Sequence, residues 1–399
     1  MSVATIATSN VSSLTAQAAL KLSKIEGELN NRFFERRDLI SDLIRAVVSE
    51  TNILLLGPVG TAKSDLAREF MSHVVDSMFF YILLNKSTQP DELFGPVSMK
   101  GMEQDKFVRI SENLVPDATL MFADEMFKCN LPVLNLLLPV INEKVWYVQG
   151  KPQPVKLLTM IGASNEEPSD PNYDAIFDRM VFRHVVKNLQ DDNNFATMIA
   201  NDVSRRSTNI LTPKTVITID EIRMLIEAKN YVQWPPIMTK LLTKLRRALA
   251  DQGIHASERR WVLCARIMQA NAILKGRLTV DDSDFYAIAH VLAHHDEQLK
   301  AVHYELDKLV NPFDADMKRL MGKVRTTYDS IQAEKDEQVK TKMVVTSKQT
   351  FNEAKKKAKE IIDKAKEQGR DTKQLELSLD EIGNLHQALF MQVTTGTKP

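Results

Sequence analysis

One eight-residue segment carries the strongest chemical signal in the chain. Gly57-Pro58-Val59-Gly60-Thr61-Ala62-Lys63-Ser64 nearly spells the phosphate-loop pattern G-x-x-x-x-G-K-[ST]. A glycine-permissive loop can turn its backbone N–H groups inward around phosphate oxygens. A helix starting at its end adds the positive end of its dipole. Lys63 is then the group for the β- and γ-phosphates, and the Ser64 hydroxyl is the group for Mg²⁺. One position departs from the pattern, since Ala62 stands where glycine is usual. Alanine restricts the loop without adding bulk, so nucleotide binding survives if that position does not need a positive φ.

Two further signals belong with the loop. Leu120-Met121-Phe122-Ala123-Asp124-Glu125 is an apolar run ending in two carboxylates. At the carboxyl end of a parallel strand, Asp124 comes near Ser64 and the metal. Glu125 can then orient and polarise an attacking water. Asn165 ends another apolar run, Leu157 to Ser164, where its amide can reach a γ-phosphate or that water. Alone it is a weak signal, because Asn is common in turns.

These side chains need a scaffold that brings strand ends together. Short apolar runs at Asn52–Leu56, Met78–Leu84, Ala118–Phe122, Leu157–Ala163 and Val181–Val186 read as buried strands. Helical patterns lie between most of them, at Lys63–Ser77 and Leu131–Glu143, and one helical region runs from Ala16 to Val48. Alternation of this kind predicts an α/β fold, a parallel sheet with helices on both faces. From Asn188 onward helical patterns dominate, at Asp220–Lys229, Ile237–Asp251, Ser257–Lys275 and Val280–His295. The Lys- and Glu-rich stretch after Leu299 carries two apolar stripes. One is Phe351, Ala354, Ala358, Ile361, Ile362 and Ala365, and the other is Leu375, Leu379, Ile382, Leu385 and Leu389. They predict two long amphipathic helices joined near Gly369, a hairpin or coiled-coil arm. The expected division is a flexible arm over residues 1–20, a nucleotide-binding core over 21–188, a helical lid over 189–298 and a helical extension over 299–399.

Composition sets outer limits. The chain has 399 residues, with 52 basic and 52 acidic side chains. Neutrality argues against bulk nucleic-acid binding. Two cysteines, Cys129 and Cys264, cannot build a disulfide framework or a four-ligand zinc site, which suits a reducing compartment. No apolar stretch approaches the ~20 residues of a membrane helix. The first twenty residues lack the basic and apolar regions of a signal peptide, so a cytoplasmic location and no membrane partner are expected. Lys355-Lys356-Lys357 is interleaved with acids and reads as a solvated helix face. The 17 methionines are scattered and read as core filling. His290 and His294 share metal-ligand spacing, but with no third ligand evident, His290, His294 and His295 read as a solvated helix end. Cys129 reads as a core thiol.

Taken in order, the phosphate loop, the Asp-Glu strand end and Ala163-Ser164-Asn165 resemble the AAA+ ATPases. Further segments resemble the MoxR family within them, particularly its RavA-like branch. These are the loop with Ala before Lys63, Leu93-Phe94-Gly95-Pro96, Phe122 to Lys128, Leu134 to Leu138 with Ile141-Asn142-Glu143, and Ala175 to Met180. The likeness spans about Lys21 to Ala293. It implies ATP rather than GTP as substrate, a sensor 1 role for Asn165, and a finger role for Arg179 acting in trans, with Arg183 as the second candidate. It aligns Arg259 with the sensor 2 arginine that reaches the nucleotide from the helical lid, and leaves Arg260 open. It further implies a ring, most simply a hexamer, and a partner carrying a von Willebrand factor A domain. Residues 85–108 would form the insert in helix two, with Gly95 and Gly101 at its turns. Residues 144–156 would form a hairpin. Phe94, Met99, Met102, Trp146 and Tyr147 are candidates for pore or substrate contact there, or for packing.

The function expected is therefore Mg²⁺-dependent ATP hydrolysis driving remodelling or maturation of a partner protein. Two alternatives stay open. One is a motor serving a single enzyme, as an activase or chelatase does. The other is a nucleotide-gated scaffold with weak hydrolysis.

Overall fold

The computed structural model describes residues 3–168, 170–208, 214–334, 336–367 and 372–395. Two units divide the chain, Met1–Val302 and His303–Pro399. In the first, helices α1 (Val3–Arg32) and α2 (Arg37–Ser49) precede the sheet. The single helical region expected from Ala16 to Val48 is thus two helices. The chain breaks at Phe33–Arg36, where Glu35 takes φ 57°. The expected flexible arm over residues 1–20 is, from Val3, the start of α1. Thr15, Ala18 and Ala19 are already buried there, because small side chains let the helix lie close to its neighbours.

Nine strands follow among the described residues: β1 (Asn52–Leu56), β2 (Val74–Val75), β3 (Phe79–Leu83), β4 (Leu120–Asp124), β5 (Val145–Val148), β6 (Lys151–Pro154), β7 (Thr159–Ser164), β8 (Met180–Val185) and β9 (Ile217–Thr218). Five form a parallel sheet in the order β3-β4-β7-β1-β8. Every residue of β1 and β7 is buried, which is why they read as unbroken apolar runs. Helices α3 (Lys63–Ser72), α4 (Pro90–Phe94), α5 (Met99–Met102), α6 (Leu131–Glu143), α7 (Asp174–Arg179) and α8 (Asp192–Thr208) lie in or after the sheet connections. One apolar cluster on the sheet joins Met121 and Ala123 to Leu134, Leu137 and Ile141 of α6.

The insert and the hairpin divide their apolar residues between packing and exposure. β5 and β6 pair antiparallel around Gln149 and Gly150, both at positive φ, as a tight hairpin turn requires. Trp146 stacks on Phe94, with ring centroids 5.7 Å apart, so these two residues pack together. Met99, Met102 and Tyr147 stay exposed.

The helical part of the first unit contains α9 (Ile219–Lys229), α10 (Pro236–Ala250), α11 (Glu258–Leu274) and α12 (Ala289–Leu292). Thr218 and Glu221 close a capping box on α9, and Ser257 caps α11. The helix expected over Val280–His295 is instead a capped 3₁₀ turn, Asp282–Ile288, running into α12. Here side chains compete with the helical backbone. Asp281 accepts from Ser283 N–H at 2.9 Å. Asp284 is fully buried and holds Arg277 and Asn271.

α13 (Asp296–Val310) is followed in the second unit by α14 (Pro312–Ala333), α15 (Glu337–Glu367) and α16 (Lys373–Thr395). Both expected stripes pack inward, with Ile361, Leu379 and Leu385 only partly buried, but in a bundle of three helices rather than two. Met317, Met321, Val324 and Ile331 of α14 join Phe351, Ala358 and Ile362 of α15 and Leu375, Ile382 and Leu389 of α16. The expected joint at Gly369 lies outside the described residues. Among those residues no helix is long and apolar enough to cross a membrane. The chain is thus an α/β parallel-sheet core with flanking helices, a helical lid and a C-terminal helical extension.

Candidate active site

β1 sits between β7 and β8 and delivers the loop at the sheet's carboxyl edge. Gly57 N–H donates to Ser164 O at 3.1 Å, tying the loop to β7. A Cβ on Gly57 would lie 2.2 Å from Val186 O, so only glycine lets the chain pass the end of β8. Thr61 Oγ1 donates to Pro58 O at 2.9 Å. Ala62 then takes φ 62°, left-handed, immediately before α3 begins at Lys63. This position does need a positive φ, contrary to the condition under which alanine would be harmless. An L-residue pays roughly 1–2 kcal/mol there.

Three strand ends converge on the loop. Ser64 Oγ donates to Asp124 Oδ2 at 2.7 Å, although the two lie 60 positions apart. Lys63 Nζ donates to Gly57 O at 2.5 Å, Pro58 O at 2.9 Å and Asn165 Oδ1 at 3.2 Å. The amide of Asn165 in turn donates to Glu125 Oε1, which also pairs with Lys128 Nζ at 3.2 Å. Glu125 has φ 53°, a second strained residue in the site. Its backbone N–H donates to Asp124 Oδ1 at 3.0 Å. The other carboxylate oxygen, Oε2, is buried without a hydrogen-bond partner. Burial lowers the Lys63 ammonium pKa, while Asp124 and Glu125 oppose that shift.

The donor set fits a magnesium–nucleotide complex. A hydroxyl beside a carboxylate offers the hard oxygen ligands that Mg²⁺ takes. Lys63 and the first turn of α3 offer positive charge to phosphate. Glu125 Oε2 is an acceptor lacking a protein donor, at the place where a water could use it.

A cleft of about 390 Å³ shares Gly60, Thr61, Ala62 and Lys63 with this cluster. Phe33, Phe34, Leu39, Val186 and Leu189 line its apolar part, a surface suited to a flat base. Sequence reasoning missed it. Phe33 and Phe34 fall inside the helical region expected from Ala16 to Val48, but they occupy the break between α1 and α2. The Glu35 carboxylate accepts from the N–H groups of Asp191 and Gln190, which lower its pKa.

The arginines lie elsewhere. Arg179 and Arg259 line a separate cavity of about 400 Å³ with Lys144 and Arg266, and none of the loop residues borders it. Arg179 Nη1 donates to Ala175 O, while its Nε is buried without a partner. Burial, and then Arg259, lower the Arg179 pKa. Lys144 Nζ donates to Leu158 O at 2.8 Å, and burial pushes its pKa down to about 8. The other two candidates are occupied. Arg183 donates to Phe177 O at 2.9 Å, contacts His294 Nδ1 at 3.0 Å and lies over the Phe177 ring. Arg260 is fully buried and bonded to Asp178, Met180 O and Val291 O.

The histidines correct the solvated-end reading. His290 Nδ1 lies 3.0 Å from Asp42 Oδ2, and His184 Nε2 lies 3.0 Å from the same oxygen. His294 is held between Arg183 and His255 O. Only His295 is more than half exposed, beside Glu167. β8 carries His184 to this point, and nothing in the local sequence announced it. Cys129 and Cys264 are both buried, and burial raises both thiol pKa values, that of Cys264 to about 12.

Comparison with known proteins identifies the family and the fold. The model of the MoxR domain in the MoxR-vWA-beta-propeller ternary systems matches residues 20–227, and an AAA lid domain matches residues 237–305. Two uncharacterized proteins of Methanocaldococcus jannaschii are similar. One is 32% identical, covering 73% of this chain and 76% of that protein. The other is 35% identical, covering 68% and 70%. A crystal structure of an ATPase from Cytophaga hutchinsonii superposes with a TM-score of 0.60 at 17% identity, covering 76% of this chain and 98% of that one, a likeness of fold. With its phosphate loop, its Asp-Glu strand end and its lid in place, the chain is an ATP-hydrolysing enzyme and belongs to the MoxR family of AAA+ ATPases.

Proposed function

We propose that the chain couples Mg²⁺-dependent ATP hydrolysis, within a homo-oligomeric ring, to remodelling or maturation of a partner protein. The observation that carries this reading is the convergence of Ser64, Asp124, Lys63, Asn165 and Glu125 at one sheet edge. Gly57 to Ser64 cradle the phosphates. Ser64 and Asp124 hold Mg²⁺, which when bound neutralises charge on the phosphate oxygens. Lys63 releases the loop carbonyls and pairs with the β- and γ-phosphates. Glu125 Oε2 accepts the proton of the attacking water, and Asn165 fixes that water and senses the γ-phosphate.

Arg179 acts on the nucleotide of the neighbouring subunit. Its separation from the chain's own loop supports this, as does its unpaired Nε. Arg259 borders the same cavity, so we assign it to that neighbour too, rather than to this chain's nucleotide. A finger in trans needs a head-to-tail interface, which a closed ring supplies at every subunit, and a hexamer is the simplest ring. The working division is a core over 21–188, a lid over 189–298 and a C-terminal extension over 299–399, in a cytoplasmic protein. The matched domain's description supports a partner with a von Willebrand factor A domain. The loop variant with Ala62 supports the RavA-like branch.

The decisive experiment is Glu125→Gln in the full chain. A motor loses turnover and accumulates ATP-bound rings. Equal, slow hydrolysis by both forms would instead point to a nucleotide-gated scaffold. Co-purification that repeatedly lacked a von Willebrand factor A protein would remove the partner assignment alone.

A further inference from the structure

We propose that Asp42, His184 and His290 bind a single divalent transition-metal ion at the junction between the sheet and the helical lid. The three residues come from α2, β8 and α12. Asp42 and His184 are buried and His290 is nearly so. Asp42 Oδ2 lies 3.0 Å from both imidazole nitrogens, and the three donor atoms all lie within 4.8 Å of one another. A tetrahedral ion with bonds of about 2.0–2.1 Å holds its ligand atoms roughly 3.3 Å apart. The two Asp–His separations are already near that value, and the imidazole nitrogens lie within 4.8 Å of each other.

The donor chemistry selects the class of ion. Two imidazoles and one carboxylate suit zinc, iron(II) or cobalt(II). They do not suit Mg²⁺ or Ca²⁺, which take oxygen ligands. The carboxylate is held from behind, as metal-ligating carboxylates usually are. Asp42 Oδ1 accepts from Arg45 Nη1 at 2.5 Å. Arg45 Nε is fixed by Asn271 Oδ1 at 2.9 Å, and Asn271 donates to Asp284 at 2.6 Å. This chain of contacts runs from the core helix α2 into α11 and the turn that precedes α12.

The other side is open. A cavity of about 70 Å³ is bounded by His184, His290, His294, Glu167 and Asp296. That is room for a water to complete the coordination. Arg45 and Arg183 oppose a second cation nearby, and Glu167 and Asp296 on the cavity wall offset them. Because one ligand comes from α12 and two from the core, a bound ion would tie the lid to the sheet. It would add stability without touching the phosphate loop.

The competing occupant is a proton, with the trio joined by hydrogen bonds alone. The full chain, stripped with a chelator and free of nucleotide, is titrated with Co²⁺ and then Zn²⁺. The expected result is one Co²⁺ per chain with a visible absorption band, displaced by Zn²⁺, and a Zn²⁺-dependent rise in Tm. His290→Ala should lose the band and the Tm shift. Asn271→Ser, which frees Arg45 and takes one donor from Asp284 without touching the three ligands, should weaken Co²⁺ binding about tenfold and remains informative if His290→Ala does not fold. Folded wild type that binds no Co²⁺, or variants that bind it as wild type does, would overturn the proposal. Nucleotide is absent throughout, so failure here leaves the ATPase reading untouched.

Discussion

The phosphate-loop cluster and the Arg179 cavity are both charged sites, and they are built on opposite principles. In the first, cation meets anion within one chain. Lys63 lies near Asp124 and Glu125, Ser64 bonds Asp124, and Asn165 bridges Lys63 and Glu125. In the second, Arg179, Arg259, Arg266 and Lys144 line one cavity, with Glu50 the one acid among the described residues that border it. Burial, and then the like charge of Arg259, lower the Arg179 pKa there. A balanced site can be preorganised by its own fold. A site with surplus positive charge is complete only when an anion arrives, and in the proposed ring that anion is the neighbour's γ-phosphate.

The sharpest way to break this comparison is Arg179→Ala. If the cavity completes a neighbour's site, turnover falls by about 10³–10⁵ while nucleotide binding to the same chain persists. Mixing Arg179→Ala with Glu125→Gln subunits should then restore part of the activity, because some interfaces regain both groups. No recovery in mixed rings would sink the trans assignment. Glu125→Gln alone should lower turnover by about 10²–10⁴, the range for a positioned general base, measured by phosphate release. If loss of Glu125 left the rate unchanged, the orphaned Oε2 would have no part in the chemistry.

Smaller effects test the electrostatics. The Lys144 pKa is depressed to about 8 from 10.5, so above pH 8 the unfolded chain binds more protons than the folded one. Stability should rise with pH between about 8 and 10, by at most about 1.4 kcal/mol per unit. Denaturant melts of Lys144→Met should lack that rise. Polyphosphate or ATP in the cavity should hold Lys144 protonated and flatten the wild-type slope, which the balanced cluster gives no reason to expect. The smallest change is Ala62→Gly. It relieves the left-handed strain but frees the unfolded chain, so the net gain is about 1 kcal/mol or less. A loss of stability would mean that the loop relies on the alanine methyl.

Legibility followed the range of the interactions. Strands β1 and β7 were readable because burial on both faces makes continuous apolar runs, and β1 and α6 have the predicted limits. The break at Phe33–Arg36 was not, because helical spacing continues across it and only the contacts of Glu35 with Gln190 and Asp191 reveal it. The turn at Asp282–Ile288 was missed for a related reason. Asp281 and Asp284 fit a helical pattern until their bonds to backbone, Arg277 and Asn271 are counted. In the second unit, two stripes were seen and the third helix was not, since Met317 and Met321 of α14 resemble ordinary core filling until α15 and α16 cover them.

The sequence alone determined the chemistry of the phosphate loop, since its residue types, their order and the flanking strand and helix are local properties. It also determined the strand–helix alternation that requires a parallel sheet. The tertiary structure decided what depends on distant residues meeting. It set Ala62 in a left-handed conformation, joined Ser64 to Asp124 and left Glu125 Oε2 without a donor. It separated Arg179 and Arg259 from the loop, and drew Asp42, His184 and His290 into one cluster. None of these has a local signature, because each is set by how strand order and helix packing fold distant positions onto one another.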